Sequence, residues 1–132
     1  MEIFSRNTLF WGDANQRNLQ SKHVAVFGLG GVGGFCAEAL ARAGIGALTI
    51  VDFDKVSASN INRQLVALHS TVGQSKAKLF EARLKDINPH IKLNIVDDFY
   101  TDENIENIDF AADAIDTMRS KISLLENCIK KD

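Results

Sequence analysis

Apolar and polar positions fall into blocks of alternating period along this chain. After a short N-terminal stretch, Asp13 to Gln20 carries the spacing of a polar helix. Val24 to Phe27 is a continuous apolar run, the pattern of a strand covered on both faces. Phe35, Ala39, Leu40 and Ala43 then repeat at helical spacing, and Gly44 is placed to end that helix. Leu48 to Val51 predicts a second strand and Ile91 to Val96 a third. Between them, a long polar connection from Asp54 to Ser70 leads to a helix over Ser75 to Ile87, whose apolar side is Ala77, Leu79, Phe80, Leu84 and Ile87 and which Asn88-Pro89 stops. A short helix is predicted over Asp102 to Ile108, a fourth strand over Phe110 to Ile115, and a closing helix over Ser120 to Lys130.

Strands alternating with helices imply an α/β fold: a Rossmann-like, doubly wound parallel sheet with helices on both faces, here carrying about four strands. One domain is expected over residues 1–132, with residues 1–22 as an N-terminal arm and helix, and no linker or internal repeat marks a second. In such a sheet the first strand is central and ligands bind outside the carboxyl ends of the strands.

Composition narrows the function classes. With 45% hydrophobic and 24% charged residues and a net charge of −2, the chain lacks the basic excess that an indiscriminate nucleic-acid or membrane binder needs. A specific RNA substrate held by a local patch stays compatible with that balance. No apolar stretch has the length of a membrane span, and Met1 to Arg6 lacks the layout of a signal peptide, so a cytoplasmic protein is expected. Cys36 and Cys128 have no CxxC spacing and read as small buried hydrophobes.

The chemistry begins where the first strand breaks into Gly28-Leu29-Gly30-Gly31-Val32-Gly33-Gly34 and opens onto a helix. Gly28 permits the tight turn, Gly30 and Gly31 let phosphate oxygens approach the backbone, and Gly33 lets the helix lie close to its strand. Free N–H groups and the helix dipole then face an anion. Asp52 ends the second strand about 20 residues on, where a carboxylate can accept hydrogen bonds from ribose hydroxyls; Asp54 is the competing acid. Two further segments exceed what a dinucleotide requires. Arg63 offers a planar fork and Lys76 a point charge for phosphate oxygens, and Asp116, just past the fourth strand, is a hard oxygen ligand suited to Mg²⁺ beside phosphates. These residues leave three readings open: an ATP-dependent enzyme, an NAD-dependent oxidoreductase, and a nucleotide-binding module without turnover.

Taken in order, GLGGVG, Asp52-Phe53-Asp54, NINRQ at Asn60 to Gln64, VGQSK at Val72 to Lys76, Ile87-Asn88-Pro89 and Asp113 to Asp116 resemble the adenylating domain of the ubiquitin-activating superfamily, which includes the ThiF, MoeB and HesA proteins. Phe4-Ser5-Arg6, Val96 to Phe99 and Ala114 to Lys121 are most similar to its tRNA threonylcarbamoyladenosine dehydratase group. The resemblance implies that a carboxylate attacks the α-phosphate of ATP, forming an acyl-adenylate and releasing pyrophosphate. It implies that Gly28, Gly30, Gly31 and Gly33 hold phosphate, Asp52 the ribose, Asn60, Arg63, Gln64 and Lys76 the triphosphate, and Asp116 the Mg²⁺. It implies a homodimer in which an N-terminal arginine enters the partner's site, with Arg6 the counterpart in this sequence and Arg17 the other candidate. The implied substrate is tRNA, met by basic side chains such as Lys76, Lys78, Arg83 and Lys85 unless these form a solvated face. The alternative is the C-terminus of a ubiquitin-like sulfur-carrier protein. Members of the family extend past the point where this sequence ends, so the sequence is expected to cover their nucleotide-binding half.

Overall fold

A computed structural model describes residues 2–101 and 106–131. Four parallel strands, β1 (His23–Phe27), β2 (Ala47–Val51), β3 (Lys92–Val96) and β4 (Phe110–Asp113), lie in the order β3-β2-β1-β4. The β1 strand pairs with both β2 and β4, so it is central as expected. Helices α2 (Gly33–Ala43) and α3 (Lys76–Ile87) cover one face, and α4 (Met118–Lys131) covers the other. The period-2 alternation of the strands sorts their side chains. Val24, Val26, Leu48 and Ile50 pack with Ala37, Ala41, Phe80 and Leu84. Ala25, Phe27 and Val51 pack with Leu124 on the opposite face. Burial on both faces explains why β1 and β2 read as nearly continuous apolar runs, the buried exception being Thr49, whose hydroxyl bonds to His23 Nε2 at 2.7 Å.

Several boundaries move for physical reasons. The fourth strand stops at Asp113, two residues early, because the Asp113 carboxylate accepts the N–H of Ile115 at 3.1 Å and turns the chain. The last helix begins at Met118 instead of Ser120. The connection after β2 is folded, with 3-10 turns at Ala58–Asn60 and His69–Thr71, an isolated bridge between Lys55 and Ser75, and Val56, Val66 and Ala67 in the core. Of the short helix expected over Asp102 to Ile108, residues 102–105 lie outside the described residues, and Glu106-Asn107 forms a turn.

The N-terminal arm is the larger correction. Helix α1 runs Ser5–Gln20 with a break at Gly12, so Ser5 and Arg6 are helical and Phe4 is core at 3% exposure. The cause is capping: the last carbonyls of α2 lack helical partners and take them from α1. Asn7 Nδ2 donates to the carbonyl of Ala43 at 3.2 Å, and the buried Gln16 donates to the same oxygen at 3.0 Å while accepting from Trp11.

Candidate functional site: a cleft at the carboxyl ends of the strands

Loops leaving all four strands converge on one cleft of about 310 Å³, at the lower end of small-molecule sites. It brings together Gly28, Gly30, Asp52, Asn60, Arg63, Gln64, Lys76 and Asp116. These residues span almost ninety positions of sequence, and the strand order is what assembles them.

The glycines divide into two kinds. Gly28 has φ +92°, and a Cβ there would stand 2.5 Å from the carbonyl oxygen of Ala114; a Cβ on Gly33 would stand 1.7 Å from the oxygen of Gly28. Both are demanded by the fold, and Gly33 is buried outside the cleft, so its part is to seat α2 on the β1 turn and not to line the site. Gly30 and Gly31 differ: the nearest protein atoms to an added Cβ would be 3.7 Å and 3.6 Å away. The protein's own packing leaves room for a side chain at each, and what such a side chain would obstruct is approach to the backbone. Gly30 lines the cleft, and Gly31 lies on its adjoining lobe. Among the described residues, the N–H groups of Gly30, Gly31 and Val32 have no acceptor, which makes an anion-binding turn at the head of α2.

Asp52 is 8% exposed at the end of β2. Its Oδ2 accepts the N–H of Leu29 and its Oδ1 the N–H of Asp54, each at 2.7 Å. Burial pushes its carboxyl above the ordinary aspartate value, opposed by those two bonds and by the charge of Lys76. Each oxygen keeps a lone pair for a hydroxyl.

The cations come from two other elements. Lys76 opens α3 behind Ser75, whose hydroxyl caps the helix, and its side chain is 5% exposed. Arg63 is held by Nη1 donating to the carbonyl of Ser59 and to Asn62 Oδ1, both at 2.9 Å, which leaves the other edge of its fork for a ligand. Asn60 shapes this loop by accepting the N–H of Ser57 on its side chain at 3.0 Å and those of Arg63 and Gln64 on its carbonyl. Gln64 is 8% exposed, and its Oε1 has no donor among the described residues. Asp116 is exposed on the β4–α4 loop at the edge of the cleft. No group of three or more metal-ligating side chains occurs among the described residues, so Asp116 fits Mg²⁺ only in the mode where one carboxylate works with substrate phosphates.

Arg6 and Arg17 are not brought to the cleft. Asn7, next to Arg6, is bonded at the C-terminal end of α2, whereas the glycine turn is at its N-terminal end; 11 residues of helix separate them by about 16 Å. Of the suggested basic side chains, Lys78 is exposed on α3 with no ion pair among the described residues, and the other three are engaged. Arg83 is paired with Glu38 at 2.6 Å and Lys85 with Glu81 at 3.1 Å, while Lys76 turns into the cleft. Both cysteines are partly buried and free, and burial raises both thiols, in line with an apolar role.

Sequence reasoning missed the wall contributed by β3. Phe53 and Phe99 stack at 4.2 Å with an interplanar angle of 19°, and Tyr100 sets its edge on Phe27 at 5.4 Å. Asp98, Phe99 and Tyr100 follow the end of β3 as Asp52 and Phe53 follow β2, so the rule that ligands bind beyond strand ends could have found them.

A Rossmann-like α/β domain with its site at the carboxyl ends of a parallel sheet is the class that this fold and cleft define. The ThiF family model matches residues 4–132, and the chain belongs to that family. It is 48% identical to the tRNA threonylcarbamoyladenosine dehydratase of Bacillus subtilis over 98% of this chain and 53% of that protein. It is 36% identical to the molybdopterin-synthase adenylyltransferase of Escherichia coli over 86% of this chain and 47% of that protein. Among solved structures, E. coli tRNA N6-threonylcarbamoyladenosine dehydratase, TcdA, in complex with ATP superposes with a TM-score of 0.93 at 38% identity, covering 98% of this chain and 56% of that one. The chain thus spans about half the length of the relatives it matches.

Proposed function

We propose that the complete protein binds ATP in this cleft and adenylates a carboxylate, and that its substrate is N6-threonylcarbamoyladenosine in tRNA. One observation carries the ATP reading: a single cleft joins a buried acid for ribose, an unpaired N–H turn, two cations and a rim carboxylate. An NAD site would need the first two and leave Arg63, Lys76 and Asp116 without a joint purpose.

In this reading Asp52 receives the ribose hydroxyls, and the N–H groups of Gly30, Gly31 and Val32 receive phosphate oxygens. Lys76, Arg63, Asn60 and Gln64 orient the triphosphate. A substrate carboxylate oxygen attacks the α-phosphorus, the bond to the β-phosphate oxygen breaks, and pyrophosphate leaves with its charge held by Lys76 and Arg63. Asp116 would hold Mg²⁺ beside the phosphates, and the ion when bound would supply further neutralisation of that charge. A urea nitrogen or oxygen of the threonylcarbamoyl group then attacks the activated carbonyl, a urea N–H proton passes to water, and the ring closes as AMP leaves with the carboxylate oxygen. In this reading, as the family resemblance implies, Arg6 serves the cleft of a second copy and the working unit is a homodimer; its place about a helix length from its own cleft is compatible with that. A tRNA-modifying enzyme of this kind acts in the cytoplasm. The likeness to a molybdopterin-synthase adenylyltransferase supports a second reading, in which the carboxylate is the C-terminus of a ubiquitin-like sulfur carrier.

The test is ATP–pyrophosphate exchange by the complete protein, supplied in turn with threonylcarbamoylated tRNA and with a sulfur-carrier protein. Exchange driven by the tRNA, abolished in R63A and losing its Mg²⁺ dependence in D116A, is the expected result. Exchange driven by the carrier selects the second reading, and binding of NAD in preference to ATP overturns both.

A further inference from the structure

The buried carboxylate of Asp52 is bonded toward both halves of the phosphate site. Toward the glycine turn, Oδ2 accepts the N–H of Leu29, which sits between Gly28 and Gly30. Toward the cation, Oδ1 accepts the N–H of Asp54, whose carbonyl accepts the N–H of Lys76 at 3.1 Å and whose carboxylate stands 3.7 Å from the Lys76 ammonium. Reading a ribose requires neither connection. A carboxylate at the end of β2 could present both oxygens to hydroxyls and leave the turn to pack by itself.

We propose that Asp52 is a positioning residue for phosphate recognition: it fixes the distance between the N–H turn of Gly30–Gly31 and the ammonium of Lys76, so that a polyphosphate lacking any ribose still depends on it. The inference rests on the ATP reading of the cleft. Its physical basis is that both 2.7 Å bonds are charge-assisted and that the bond from Leu29 is buried and the one from Asp54 partly so, which strengthens such bonds. The turn itself has few other ties. Gly28 donates to the carbonyl of Val51 at 2.9 Å and Gly34 to that of Gly30 at 3.3 Å, while Gly30, Gly31 and Val32 donate to nothing among the described residues. Gly28 and Leu29 are therefore the two points that hold the unpaired segment at the end of β2, Gly28 through the carbonyl of Val51 and Leu29 through the Asp52 carboxylate. On the other branch, Lys76 follows its own backbone, and that backbone is tied to Asp54.

Asp52→Asn is the discriminating change, since its amide nitrogen cannot accept a hydrogen bond and one of the two N–H groups must lose its partner. Binding of inorganic tripolyphosphate, ATP and adenosine to the complete wild-type and D52N proteins is measured by calorimetry, with the melting temperature followed alongside. Tripolyphosphate affinity is expected to fall at least about tenfold in D52N, measured at a temperature where the melting curves show both proteins folded, as the loss of a buried charge-assisted bond implies. Tripolyphosphate affinity within twofold of wild type, with ATP and adenosine weakened, would show a ribose role alone and overturn the inference while leaving the ATP reading intact. Failure of the wild type to bind ATP would instead overturn the ATP reading. If D52N does not fold, the wild-type amide resonances decide: on acid titration Gly30 and Gly31 should move with Leu29 and Asp54 at one midpoint, and Gly30 and Gly31 signals that stay still refute the coupling.

Discussion

The ammonium of Lys76 stands 3.7 Å from Asp54 Oδ2, and while the lysine side chain is 5% exposed, the aspartate is 53% exposed. The pair is thus lopsided. The cation is withdrawn from water into the cleft wall, and its one ion-pair partner among the described residues is half solvated and beyond hydrogen-bond distance. A polyanion entering the cleft would meet a positive charge that is poorly screened and incompletely neutralised. Lys76→Ala in the complete protein should lower adenylate formation by about 10²–10³-fold, the loss typical of removing one fixed transition-state donor. Asp54→Ala should cost far less, because water replaces much of what its side chain supplies. Pyrophosphate exchange rates of the two variants measure the difference, and equal losses would contradict this account.

Arg6 yields a prediction about assembly. If each cleft takes Arg6 from a second copy, R6A and K76A are both inactive alone, yet a mixture allowed to exchange subunits contains clefts with both residues intact. Random pairing should restore about a quarter of wild-type activity. A mixture as inactive as its components would remove Arg6 from the site.

Acid should act on Asp52 in two opposite directions. Its folded carboxyl lies above the ordinary value, because burial outweighs the bonds from Leu29 and Asp54. The folded state therefore holds this proton more tightly than the unfolded chain does. The resulting stability is fully present below the ordinary aspartate value of about 3.9 and is lost as pH rises through the higher folded value. Binding runs the other way, since protonation converts an acceptor oxygen into a donor. ATP affinity should fall on acidification at a pH above the ordinary aspartate range, without loss of melting temperature from this group. Calorimetry across pH, with the D52N profile subtracted to cancel the nucleotide's own titration, tests this.

The link between α2 and α3 responds with the opposite sign. The hydrogen bond from Arg83 holds Glu38 below its ordinary value, with Arg42 contributing and burial opposing. That stability is present above the ordinary glutamate value and disappears as pH falls through the depressed one. Arg83→Ala should lose about 0.5–1 kcal/mol near neutral pH, as partly exposed ion pairs usually do. Urea unfolding near pH 7 and near pH 3 should show the wild-type advantage shrinking in acid.

What the sequence determined by itself is local or follows from periodicity. Apolar runs marked β1 and β2 because strands buried on both faces need nearly continuous hydrophobicity, and Gly44 ended α2 because its φ of 97° suits glycine. The glycine turn, Asp52 and the cation-bearing loops were legible for the same reason: each is a short motif whose chemistry sits in adjacent residues. The aromatic wall was not, since Phe53 and Phe99 meet only because β2 and β3 are neighbours in the sheet. The arm was misread because its order depends on Asn7 and Gln16 finding the carbonyls of α2, 27 or more positions away. The pairing of Arg83 was hidden in the same way, as its partner Glu38 comes from another helix. The local glycine pattern already separated Gly28 and Gly33, which serve packing, from Gly30 and Gly31, which leave the backbone open. Only the tertiary structure decided which atoms enforce that division, because the carbonyls of Ala114 and Gly28 come within reach of a Cβ there only once the chain is folded.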